Sequence, residues 1–87
     1  MLANGTYQTR NSRVAILTEP FMRMKKLPDD SEITVTGFRG QLLKADGKTP
    51  DSIYEWEDTE IPGTLGTLVR AGTEGVANEF DLVHKID

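Results

Sequence analysis

The chain contains no cysteine. No disulfide can staple it and no thiolate zinc site can form, which fits a reducing compartment. It has one histidine, His84, so histidine-based nucleophilic catalysis has a single candidate. That residue falls among Phe80, Leu82 and Ile86 in an alternating segment, the surroundings of a core or rim histidine rather than of a base. No apolar run approaches the roughly 18 residues of a membrane span. The opening Met-Leu-Ala-Asn-Gly-Thr lacks the basic-then-apolar order of a signal peptide, so neither a membrane nor a secretory route is expected. Without that route, Asn4-Gly5-Thr6 reads as an Asn-Gly turn rather than a glycosylation acceptor. Helical periodicity, internal repeats and low-complexity tracts are also missing.

What remains is 87 residues, the size of one small domain. A chain this short buries only about 60% of its unfolded surface, which favours self-association as a source of extra core. Net charge is −4, unevenly spread. Residues 1–27 hold five basic side chains (Arg10, Arg13, Arg23, Lys25, Lys26) against Glu19 alone, while residues 28–87 hold five basic and thirteen acidic ones.

Strand patterns recur along the chain. Residues 1–6 read as a loose arm and residues 7–9 as a short strand. Residues 13–18 form a clearer strand, with Val14 and Ile16 on one face and Ala15 and Leu17 on the other. Glu19-Pro20 is expected to end it. Residues 21–27 read as an extended strand or irregular loop, with Phe21, Arg23, Lys25 and Leu27 on one face. Residues 28–31 form a turn. Residues 32–36 alternate with Ile33 and Val35 inward, and Gly37-Phe38-Arg39-Gly40 marks a bend or bulge. Residues 32–44 and 51–58 then form a hairpin. Its return strand puts Tyr54, Trp56 and Asp58 on one face and Ile53, Glu55 and Glu57 on the other. A loop over residues 59–66, a short strand over 67–70, a loop with Gly72 and Gly75 and a strand over 79–86 complete the chain. The expected fold is all-β: a small, strongly bent antiparallel sheet or SH3-like barrel of five to six short strands.

Residues 7–17, Tyr-Gln-Thr-Arg-Asn-Ser-Arg-Val-Ala-Ile-Leu, resemble the opening of short proteins encoded by tailed phages and prophages. The matching positions are Thr9, Arg10, Asn11, Arg13, Ala15, Ile16 and Leu17. Tyr54 and Trp56 fall in that group's aromatic return strand, and Asp81-Leu82-Val83 resembles its close. Ser12 stands where the group has glycine, and residues 20–32 look like an insertion. The resemblance implies phage origin, a small β-fold and action in the host cytoplasm or the virion. It implies no activity.

Chemistry is sparse. Gly47-Lys48-Thr49 echoes a phosphate-binding loop, but the required earlier glycine is Leu42 and Pro50 denies the helix, so it reads as a turn. Glu55, Glu57, Asp58 and Glu60 form a run of carboxylates. Glu55 and Glu57 would stand about 7 Å apart on one strand face, a spacing open to a cation or to acid–base work but common on wet strands. No catalytic set, metal site or cofactor is expected. Nucleic-acid binding by the basic third is disfavoured by the acidic pI near 4.9. The expected role is a non-enzymatic protein-interaction module that binds itself or a protein partner. Its binding residues are Phe21, Met22, Arg23, Met24, Lys25 and Leu27, with Arg10 and Arg13 nearby in sequence. The alternatives are a small-barrel nucleic-acid binder and a head–tail joining component of the virion.

Overall fold

The computed structural model describes residues 2–69 and 78–87. Six strands follow one another: β1 (Gly5–Thr9), β2 (Val14–Lys26), β3 (Glu32–Leu43), β4 (Pro50–Asp58), β5 (Gly66–Leu68) and β6 (Leu82–Lys85). Each pairs antiparallel with the next, and β6 returns to β1, so the ladder closes on itself in a ring. The all-β reading and the strongly bent antiparallel sheet are what the structure shows. No helix among the described residues is long and apolar enough to cross a membrane. The expected strand over 67–70 begins at Gly66 and ends at Leu68. Arg70 and the loop with Gly72 and Gly75 lie outside the described residues.

The ring encloses Leu2, Tyr7, Ala15, Leu17, Leu42, Trp56, Leu68 and Leu82, with Phe38, Tyr54 and Phe80 packed against them. Trp56 is fully buried and its indole N–H donates to the Phe80 carbonyl at 2.9 Å, so the ring carries no unpaired polar group into the core. Tyr54 meets Trp56 edge-on and stacks with Phe80. Residues 1–6 are not wholly a loose arm: Leu2 plugs the core, and its N–H donates to Asp58 at 2.6 Å.

Two bulges account for where the alternation misleads. Leu17 pairs with Gly40 and Glu19 with Arg39, which leaves Thr18 as an extra residue in β2. An extra residue inverts the alternation. The inward series therefore runs Ala15, Leu17, then Pro20, Met22 and Met24. Pro20 does not end the strand, because β2 continues to Lys26 along the partner β3. Beyond Leu17, β2 has no β1 residue beside it, so Pro20 sits at an open edge where a missing N–H is tolerated. A second shift falls between Gln8 and Thr9, opposite Val83. It turns His84 and Ile86 outward, away from the face they were expected to share with Phe80 and Leu82.

The bend expected at residues 37–40 is a place of close strand approach. A Cβ on Gly37 would lie 2.0 Å from the Trp56 carbonyl oxygen, and one on Gly40 would lie 2.3 Å from that of Ile16. Only glycine lets the neighbouring backbones come this near. Phe21, directly across from Gly37, lays its ring over the gap.

The ring ends before the longest hairpin does. β4 pairs with β3 only from Gly37 inward, and β1 pairs with β2 only up to Leu17. Residues 20–36 therefore project as a two-stranded arm, and the molecule measures 43 × 23 × 22 Å. The arm closes through a three-residue turn: Asp30 N–H donates to Leu27, Leu27 N–H donates to Ser31, and Asp30 takes a left-handed φ of 70°. Ile33 and Val35, expected inward, lie on the arm's outer face with Phe21, Arg23 and Lys25. There is no barrel interior beneath them at this point.

Candidate functional site: the projecting arm and its root

The arm has two chemically distinct faces. The inner face carries Pro20, Met22 and Met24 opposite Phe38, Thr36 and Thr34. Met22 is 72% exposed and Met24 60% exposed, the former the most exposed large apolar residue among those described. Where this face meets the barrel it forms a hollow of about 430 Å³, lined by Leu2, Pro20, Met22, Gly37, Phe38 and Asp58, among others. Asp58 closes one side and is already occupied, accepting from the Leu2 N–H and from the Thr36 hydroxyl at 2.5 Å.

The outer face is a chain of charges. Arg39 meets Glu55 at 2.5 Å and Glu19 at 3.1 Å, and Glu55 also accepts from Arg23 at 2.6 Å. Arg23 in turn lies over the Phe21 ring, 4.8 Å from its centroid. Burial opposes ionisation of Glu55, but hydrogen bonds from Arg39 and Arg23 outweigh it and hold its carboxyl below the usual value. The same bonds hold the Arg39 guanidinium, paired to Glu55 and Glu19, more firmly protonated than usual.

The residues singled out in the sequence divide into two places. Phe21, Met22, Arg23, Met24 and Lys25 lie on the arm's β2 strand, with Leu27 at its tip. Arg10 and Arg13 do not join them. Ten residues of strand separate Arg13 from Arg23, about 33 Å at the usual rise. Both belong instead to the far end of the barrel. Arg10 donates to Thr64 and to the Asn78 carbonyl and stands 3.6 Å from the buried Asp81. Arg13 donates to the Leu43 carbonyl and to Asp51, both at 2.7 Å, and covers Phe80. These are fastenings, and the basic side chains of residues 1–27 do not gather into one patch. Of Arg10, Arg13, Arg23, Lys25 and Lys26, only Lys25 has no carboxylate partner among the described residues.

The carboxylate run is likewise taken apart. Glu55 is bound by two arginines, Asp58 by an amide and a hydroxyl, and no group of three or more potential metal ligands gathers among the described residues. The Gly47-Lys48-Thr49 stretch is a turn with no helix after it. Its amides are not open to a phosphate, because Asp46 accepts from Lys48 N–H and Thr49 N–H, both at 2.8 Å, and from the Thr49 hydroxyl. The Thr49 bonds, then the Lys48 amide, lower the Asp46 carboxyl to about 2.

Sequence reasoning missed Asp81. Its carboxylate is buried and ties two segments, accepting from Leu68 N–H at 2.9 Å and Asn78 N–H at 3.0 Å. An aspartate heading a short strand was the available signal. The chain matches no family model, and neither a curated protein nor a solved structure shows significant similarity to it.

Proposed function

We propose that this chain is a non-enzymatic protein-interaction module whose docking element is the projecting arm. The observation that carries this reading is the pair of methionines, Met22 and Met24, left exposed on a ribbon whose two edges pair with no other strand among the described residues. Methionine adapts to varied partner surfaces, and aromatic and arginine side chains such as Phe21 and Arg23 are the usual interface anchors. A two-stranded ribbon is at best marginally stable alone in water, so a partner that covers it also steadies it. The alternative of nucleic-acid binding loses support because four of the five expected cations already hold carboxylates. The phage-like ends of the sequence extend the reading to a phage or prophage protein acting in the host cytoplasm or the virion.

A photo-crosslinking residue placed at Met24, compared with one at Ile53 on the barrel wall, tests the reading in cells that express the chain. Ile53 is 67% exposed, so it controls for accessibility. Discrete protein adducts from position 24 and none from position 53 are expected. No adducts, or the same adducts from both, would overturn it.

A further inference from the structure

The open edge of β2 is complementary to itself, and we infer that the arm's partner is the arm of a second copy of this chain, paired antiparallel about a twofold axis at Met22. The inference rests on the reading of the arm as a docking element.

Among the described residues, the edge of β2 from Glu19 to Lys25 has no strand beside it. β1 reaches only Leu17, and the Thr18 carbonyl is already taken by the Asn4 side chain at 3.0 Å. Two such edges brought together about Met22 match residue for residue. On the outer face Glu19 stands opposite Lys25 of the second copy, and Phe21 opposite its Arg23. On the inner face Met22 meets Met22, and Pro20 meets Met24. Directly opposed strand residues approach within about 5 Å at Cβ, so each pair is a contact. Lys25 has no carboxylate partner among the described residues within its own chain, and this register gives it one. Glu19 is 64% exposed and gives one carboxylate oxygen to Arg39, which leaves the other for Lys25. The Phe21–Arg23 pairing across the axis repeats the contact those residues already make within the chain.

Other ways of joining two arms fit less well. Pairing the open β3 edges would bring Asp30 and Glu32 at one tip beside Asp58 and Glu60 at the partner's root, like charge against like. Continuing one sheet head to tail would set successive hairpins about 10 Å apart, closer than barrels 22–23 Å across permit. The twofold arrangement points the arms in opposite directions and keeps the barrels at opposite ends. Proline and lysine on an edge also serve to blunt it. Pro20 removes one donor from each half of the ladder but keeps its carbonyl. The opposition of Lys25 to Glu19 is what distinguishes an interface from a blunted edge. Seven residues a side fall short of the roughly 800 Å² per partner of a standard interface, so the dimer is concentration-dependent.

Sedimentation velocity over a concentration series tests this. The intact chain should pass from monomer to dimer as concentration rises. Lys25→Glu and Glu19→Lys should each move the midpoint upward by about tenfold or more, because like charges then face each other. An equal mixture of the two should recover the dimer, since every cross-axis pair is again opposite in charge. In a chain without cysteine, Met22→Cys should oxidise to a linked dimer far faster than Ile53→Cys. Monomer throughout, or Lys25→Glu dimerising like the intact chain, or a mixture without recovery, would overturn the inference. If a charge variant does not fold, by circular dichroism, the cysteine comparison decides. A monomer whose position 24 still crosslinks to a different protein would sink the twofold pairing and leave the docking arm standing.

Discussion

The barrel and the arm share two strands, β2 and β3, yet they are held together by different forces. Inside the ring, β2 and β3 bury Ala15, Leu17 and Leu42 completely. Past Thr18 and Gly37 they bury almost nothing on the inner face and rely on their mutual ladder, the Phe21 ring over Gly37, and the Glu19–Arg39–Glu55–Arg23 network on the outer face. Burial of apolar area contributes in proportion to what leaves water, whereas exposed ion pairs contribute about 1 kcal/mol or less. One strand pair can therefore be rigid at one end and dependent on a partner at the other. The change happens at the Thr18 bulge and the two close-approach glycines.

The largest test of this division is Trp56→Ala. The indole fills the centre of the ring and is fully buried, so its loss should destabilise the fold by about 3–5 kcal/mol. Chemical denaturation would measure it. A protein that lost less than about 1 kcal/mol would show that the barrel is not the stable half. Next comes Gly37→Ala at the root of the arm, where the new Cβ would meet the Trp56 carbonyl at 2.0 Å. Backbone must shift, at a cost of about 1–3 kcal/mol. The arm should lose amide hydrogen-exchange protection before the barrel does, if the two are separately held.

Most of the barrel half was legible because its alternation is regular outside the Val83 bulge. Residues 52–58 divide as read, with Trp56 buried and Ile53 outward. The arm was not legible, because one unpaired residue, Thr18, reversed which side chains face in. A local pattern gives no sign of which residue in a run of Thr, Glu and Pro is skipped by the partner strand. Pro20 looked terminal for a related reason: whether a missing N–H matters depends on having a neighbour on that side, and β1 had already stopped. Arg10 and Arg13 were grouped with Phe21 by proximity in sequence, but both precede β2, whose extended run carries Phe21 away from them. Ser12 stands in a turn that favours glycine and adopts φ 65° there, so the turn forms without one.

A smaller effect separates the two halves by pH. The Glu55 carboxyl is held below its ordinary value of 4.5, so its contribution is present above that value and is lost as pH falls through the folded value. Glu55→Gln should cost at most about 1 kcal/mol at neutral pH, since the network is largely exposed. It should also flatten the first part of the acid limb in a series of thermal melts. Asp46, at the barrel's other hairpin, falls from 3.8 to about 2, so its part of the limb lies lower, between those values. Asp46→Asn should remove that lower part alone. If Glu55→Gln left the whole acid limb unchanged, the arm's outer network would contribute nothing that acid can remove.

The smallest expected change in stability belongs to the residues given the largest role in docking. Met22→Ser and Met24→Ser replace side chains that are already mostly in water. Met24 makes one weak contact, its sulfur accepting from the Thr34 hydroxyl at 3.2 Å. At a dilution where the chain is monomeric, either substitution should shift unfolding by no more than about 0.5 kcal/mol. The same substitutions should weaken whatever covers the arm, because they remove apolar area that only a partner can bury. A melt that fell by well over 1 kcal/mol in dilute solution would show the inner face of the arm to be part of the barrel's own core. The division between a self-sufficient ring and a partner-dependent ribbon would then have to be redrawn at Leu27.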